Sequence, residues 1–291
     1  MSAKPVLVVI GLGNGSGTGA STARLFAKKG YSVALIARGA ETVSTVAKEI
    51  NSSGGHAEEF ALASYSHEDI TNGWAAINSR FPKPQYIIRV AVFNAGHGVW
   101  KNFLDITAQD VQDSLQTSVA AAFSFARGAI LAFKENDIEQ TNGKKGALIF
   151  TGATASLRGN VLTSAFAASK FGLRALSQSL AKEFGKENIH VSHVRLFRYL
   201  KIYVLHLMRL LMEVKPSLNM CHCLSHSISQ AILTGRQRGN RGEEWAQNED
   251  VRLNPDSIAA SYLYLVNQDR SAWTWELDRK CRKLYVRYNV D

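Results

Sequence analysis

One short run limits what this chain can fold into more than any other: Gly11-Leu12-Gly13-Asn14-Gly15-Ser16-Gly17-Thr18-Gly19. It follows the strand-length apolar run Val6–Ile10 and precedes a helical pattern from Ala20 to Lys29. A glycine-rich run alone is compatible with a flexible loop. Between a strand and a helix, glycines let backbone amides come close to a pyrophosphate at the helix N-terminus. The run therefore predicts a dinucleotide site built from Gly13, Ser16, Gly17, Thr18 and Gly19.

The pattern continues as alternating strands and helices up to Val194. The predicted strands are Tyr31–Ala37, Glu59–Ala63, Tyr86–Phe93, Ala147–Thr151 and Ile189–Val194, and the predicted helices cover roughly 41–52, 70–80, 108–136 and 164–184. Asn254-Pro255-Asp256 opens a further helix, with a capping residue followed by Pro in the first turn, and Trp273–Leu277 reads as a final strand. Strands joined by helical crossovers imply an α/β fold: a doubly wound parallel sheet of about seven strands with helices on both faces. With 291 residues, 46% of them hydrophobic, the chain has enough apolar sequence for one large domain over 1–291.

The spacing Gly13-x-x-x-Gly17-x-Gly19, the segment Phe93-Asn94-Ala95-Gly96 after the fourth strand, and Ser169-Lys170 within the helix 164–184 resemble the short-chain dehydrogenase/reductase family over residues 5–194 and 231–278. The resemblance implies a Rossmann-type sheet, an NAD(P) cofactor, a small carbonyl or alcohol as substrate and hydride transfer between the two. It also implies oligomers built through the long helices, and cofactor contacts from Asn94, Ala95, Gly96 and Lys170. At the end of the second strand an acid would bind the ribose hydroxyls of NAD. Arg38 stands there and can pair with a 2′-phosphate, so NADP is preferred over NAD. Ser64 takes the place of an adenine-contacting Asp.

The departures fall on the chemistry. The family's proton-exchanging Tyr lies four residues before the Lys, and Phe166 stands there; its Ser falls on Ala153. Phe has no proton to exchange. The remaining candidates are Lys170, Thr154 beside the lost Ser, Ser118 in place of the family's helix Asn, and His97 after the Asn-Ala-Gly motif. Thr151 and Ser164 bring further hydroxyls nearby in sequence. Two function classes follow: an oxidoreductase with an altered proton donor, or a nucleotide-binding pseudoenzyme acting as a sensor or oligomer partner.

The net charge of +10 is concentrated in segments 195–230 and 279–291, each with five basic residues against one acid. These segments also hold all three cysteines and every methionine but Met1. Nucleic acid is therefore not expected to be a partner of the main domain. Residues 195–230 read either as a basic amphipathic helix or as translated non-coding sequence, and the tail from Arg279 looks similar. Cys221-His222-Cys223 with His226 lacks a second ligand pair, so no metal is expected. The N-terminus does not read as a secretory leader, no membrane span is expected, and three cysteines do not suggest an oxidising compartment; the reading is cytoplasmic.

Overall fold

The computed structural model describes residues 3–197 and 253–280. The segment from 198 to 252, with its basic period and its Cys-His-Cys triplet, and the tail from 281 lie outside the described residues.

Seven parallel strands form one sheet in the order β3-β2-β1-β4-β5-β6-β7. They are β1 (Lys4–Ile10), β2 (Ser32–Ala37), β3 (His56–Ala61), β4 (Tyr86–Phe93), β5 (Gly146–Ala153), β6 (Ile189–Phe197) and β7 (Glu276–Lys280). Alternate side chains of one strand feed two cores. From β1, Val6, Val8 and Ile10 meet helices α3 (His67–Arg80), α5 (Ala121–Lys134) and α6 (Ser164–Phe184) on one face. Leu7 and Val9 meet α1 (Thr18–Lys28), α2 (Ala40–Ser52) and α7 (Pro255–Asn267) on the other. Because β2 and β4 flank β1, the chain reverses direction across the sheet there and opens a crevice at the carboxyl ends of β1 and β4.

The predicted long helix runs from α4 (Ala108–Leu115) through a π-helical turn at Gln116–Ala120 into α5. Thr107 and Asp110 cap its start reciprocally. Among the described residues this is the one helical stretch long and apolar enough to cross a membrane, yet half of that apolar window is buried in this fold. Phe125, Ala129 and Phe133 enter the core.

Several boundaries differ from the sequence reading, three of them with consequences. Strand β3 starts at His56, three residues early, because its ladder with β2 runs from Ser32↔His56 to Ala37↔Ala61. Strand β6 continues past Val194 to Phe197, and β7 begins at Glu276 instead of Trp273. Thus Arg195, Arg279 and Lys280, which composition assigned to foreign segments, are ladder residues: Arg195 pairs with Asp278, Leu196 with Arg279 and Phe197 with Lys280. Charge partnership explains the shift. Arg195 Nε donates to Asp278 Oδ1 at 2.6 Å, and its Nη1 lies 3.2 Å from Glu276 Oε2. Trp273, read as a strand residue, instead stacks flat on His190 with ring centres 5.0 Å apart.

Candidate active site

The glycine run forms a tight turn between β1 and α1 that is locked to the end of β4 by backbone contact. Gly11 has φ +95°, and a Cβ there would stand 2.5 Å from the Ala95 nitrogen. A Cβ on Gly19 would stand 2.3 Å from the Gly11 carbonyl oxygen. The Asn94 side chain donates to that same oxygen through Nδ2 at 2.7 Å. Asn94 and Ala95 therefore shape the loop, and Ala95 is buried beneath it. Gly17 is the N-cap of α1 and supplies no side-chain cap, so the helix opens with its first amides unscreened. Ser16 Oγ donates to Asn14 Oδ1 at 2.8 Å, Thr18 is buried in the first turn, and Arg24 ties the loop to α2 by donating to the Gly15 carbonyl and to Glu49. Uncapped amides, a glycine-only close approach and no acid in the first turn of α1 fit an anionic phosphate group.

At the end of β2, Arg38 is exposed, with its guanidinium 4.8 Å above the Tyr65 ring. Tyr65 is buried, which pushes its hydroxyl up despite the opposing Arg38 charge. Ser64 is spent on structure: its N–H and hydroxyl both donate to Asp69 Oδ2, at 2.8 and 2.6 Å, at the entrance to α3. Tyr65 was missed by sequence reasoning, although it directly follows Ser64.

The second half of the site lies where α6, the π turn and β5 meet Gly96. Lys170 is 6% exposed, and its Nζ donates to the Thr151 carbonyl at 3.1 Å. Burial lowers its ammonium to about 8. A Cβ on the exposed Gly96 would stand 3.4 Å from Nζ and 3.9 Å from the Ser118 hydroxyl. Ser118 is fully buried, and its Oγ has no hydrogen-bond partner. The π turn delivers it, and such turns recur at functional sites.

Phe166 stands one turn before Lys170, its ring centre 5.9 Å from Nζ. It packs on Trp100, with centres 5.5 Å apart and planes at 37°. Trp100 folds so closely over Gly98 that a Cβ there would overlap the indole. Trp100 was not anticipated; the signal was an aromatic two residues after a glycine in the Asn-Ala-Gly loop. Thr154 is buried at the start of a 3-10 turn that ends β5, next to the buried Ala153. His97 is half-buried, and its carbonyl accepts from Ser114 Oγ at 3.3 Å. The Thr151 hydroxyl points elsewhere, 2.7 Å from the Tyr262 hydroxyl on α7, and Ser164 is exposed at the start of α6.

Behind Lys170, β6 presents His193, which is fully buried. Its Nδ1 lies 3.0 Å from Glu276 Oε1, which also takes Arg174 Nε at 2.8 Å. Burial outweighs the carboxylate and lowers His193 to about 4, keeping it neutral. Its Nε2 is unpartnered, and its ring occupies the space over Gly152, where a Cβ would come within 2.4 Å.

Residues 6–196 match the family model described as short chain dehydrogenase. The bovine (Bos taurus) 3-oxoacyl-[acyl-carrier-protein] reductase is 26% identical over 182 residues, which is 62% of this chain and 71% of that protein. A short-chain dehydrogenase/reductase of Armillaria gallica is 38% identical over 104 residues, 35% of this chain and 37% of its own length. Among solved structures, a short-chain dehydrogenase from Rhodopseudomonas palustris superposes with a TM-score of 0.67 at 25% identity, covering 95% of this chain and 98% of that one. A metagenomic short-chain oxidoreductase in complex with NADP gives a TM-score of 0.69 at 21% identity, with 96% and 98% covered.

Proposed function

Because this chain belongs to the short-chain dehydrogenase family, and is an NAD(P)-dependent oxidoreductase by type, we propose that it reduces a small carbonyl, or oxidises the matching alcohol, with NADP and without a tyrosine proton donor. The observation that carries this reading is that the buried Lys170 ammonium and the unpartnered Ser118 hydroxyl both flank Gly96, beside the glycine loop. An orphaned buried hydroxyl costs about 1–3 kcal/mol, which a ligand oxygen within hydrogen-bond reach of Ser118 would relieve. A bound nicotinamide dinucleotide would supply hydride. The chain would hold its phosphates at the α1 N-terminus, with Gly13, Ser16, Gly17, Thr18 and Gly19, and its ribose with Lys170. Asn94, Ala95 and Gly96 would form the floor beneath it.

Arg38 supports NADP over NAD: it is exposed, and Tyr65 holds its guanidinium at the end of β2. Trp100 and Phe166 support an apolar or aromatic group on the substrate. The mammalian relatives named as 3-oxoacyl-[acyl-carrier-protein] reductases make a 3-oxo thioester a sensible member of a trial panel. Val111, Leu115, Phe123 and Phe171 are large apolar side chains left exposed on α4, α5 and α6, which supports a second copy as partner. Paired thiols are not needed anywhere in this reading, consistent with a cytoplasmic setting. His97 and Thr154 are kept as residues of the site wall.

The test is a thermal melt of the purified chain with saturating NADPH, NADH or neither, followed by turnover on aldehydes, ketones and 3-oxo thioesters. A ligand that binds only the folded state raises the midpoint by mass action. A larger rise with NADPH than with NADH, together with cofactor oxidation by a carbonyl, is the expected result. A rise with no turnover on any carbonyl would favour the pseudoenzyme reading.

A further inference from the structure

We propose that Gln116 is a positioning residue of this site: by tying the start of the π turn to the Tyr65 carbonyl, it keeps the Ser118 hydroxyl beside Gly96. This inference rests on the oxidoreductase reading above.

The π turn joins two helices whose faces are fixed independently. On the α4 side, Ser114 is fully buried, with its Oγ 3.0 Å from Ser169 Oγ on α6 and 3.3 Å from the His97 carbonyl oxygen. On the α5 side, Phe125, Ala129 and Phe133 are committed to the core. Residues 116–120 bridge the two as a wider turn, closed by i→i+5 bonds in place of i→i+4. If the turn tightened to a regular α-helix, one residue would be squeezed out of it. Ser118 would then rotate by about 100° relative to one neighbour or the other.

Gln116 opens that turn, two residues after Ser114 and so about 200° round the helix from it. Its Nε2 donates to the Tyr65 carbonyl at 2.9 Å. Among the described residues this is the one hydrogen bond made by a side chain of the π turn, and Ser118 Oγ has none. The acceptor is itself fixed. Tyr65 is buried, and its neighbours Ser64 and Ser66 are both bonded to Asp69 in the first turn of α3. The helix is thus held on opposite sides: by Ser114 against α6, and by Gln116 against the loop whose Tyr65 ring lies under Arg38. Two residues further on, Ser118 is fully buried and lies against Gly96, as Lys170 does. Gln116 is exposed, so trimming its amide opens no cavity in the core.

The experiment uses the full chain with NADPH and the best carbonyl of the panel. It compares wild type with Gln116→Met, Ser118→Ala, the double variant and Gln116→Lys. Met keeps the length and helix preference of Gln without its donor, and Lys keeps an N–H donor. Gln116→Met and Ser118→Ala are each expected to lower kcat by about tenfold or more. NADPH Kd in Gln116→Met should stay within about threefold, and Tm within about 4 °C. In the Ser118→Ala background Gln116→Met should cost less than about twofold more, because both act on one hydroxyl. Gln116→Lys should recover most of the rate. Amide hydrogen exchange across 116–120 should quicken in Gln116→Met while the rest of the chain is unchanged.

Gln116→Met with kcat within about threefold of wild type overturns the proposal, and so does an unaltered rate in Ser118→Ala. Equal losses from Gln116→Met with and without Ser118 overturn it too, since Gln116 would then act elsewhere. A loss of rate that follows a loss of Tm, and that Gln116→Lys does not restore, reduces Gln116 to a structural contact. All of these leave the parent reading standing. A wild-type chain that turns over no carbonyl overturns the parent reading and this inference with it.

Discussion

The Lys170 ammonium nitrogen lies 5.9 Å from the centre of the Phe166 ring, one turn earlier on the same face of α6. A hydroxyl added to that ring would stand within the field of the cation, whose charge favours an ionised phenol. Phe166→Tyr is therefore expected to raise kcat for carbonyl reduction by about tenfold or more. NADPH binding should stay unchanged. A rate equal to wild type, in a protein that melts normally, would mean that this ring does not face the reacting atoms.

Gly19→Ala should damage loop and fold together. The new methyl would stand 2.3 Å from the Gly11 carbonyl oxygen, which is backbone and cannot swing aside. The expected cost is about 2–4 kcal/mol of stability, seen as a lower denaturation midpoint, with loss of the NADPH-induced rise in Tm. A variant that melts and binds like wild type would contradict the packing described between β1, α1 and β4.

Arg38→Ala tests the cofactor preference. A charge-assisted hydrogen bond to a 2′-phosphate is worth roughly 1.5–3 kcal/mol, so the NADPH Kd should rise by about 10- to 100-fold. The NADH Kd should change by less than about threefold, since no phosphate is lost there. Equal losses for both dinucleotides would point to Tyr65 packing, not to phosphate recognition.

Stability should fall as pH drops from neutral toward 4. His193 and His190 are both buried, and burial lowers each to about 4 in the folded chain. Unfolded, they take up protons near about 6.5. Between those values the unfolded state binds more protons, so acid favours it, and the stability is fully present only above about 6.5. Each histidine contributes at most roughly 3 kcal/mol across that window. Arg174, Arg195 and His193 outweigh burial at Glu276 and hold its carboxyl low, which adds a loss of the same sign at lower pH. Urea denaturation of wild type and His193→Gln at pH 7.5 and 5.0 checks this. The difference between the two pH values should shrink in the variant.

By itself, the sequence determined the order of strands and helices and the place of the glycine-rich turn between β1 and α1. Those depend on local periodicity and on glycines whose role is set by the strand before and the helix after them. It also marked Phe166 and Ala153 as side chains with no hydroxyl to offer, since a residue's chemistry can be read without its coordinates. Local pattern placed the last two strands but not their bounds. Arg195, Arg279 and Lys280 looked like part of foreign basic stretches until Asp278 and Glu276 were seen beside them across the sheet. Nor could it show that the Thr151 hydroxyl turns away to Tyr262 while its carbonyl holds Lys170, because side-chain and carbonyl directions follow from the strand's register. The meeting of Lys170 and Ser118 at Gly96 was likewise decided by tertiary structure. Residues 52 positions apart flank Gly96 because a π turn carries a buried Ser118 and α6 carries a buried Lys170 to the same loop.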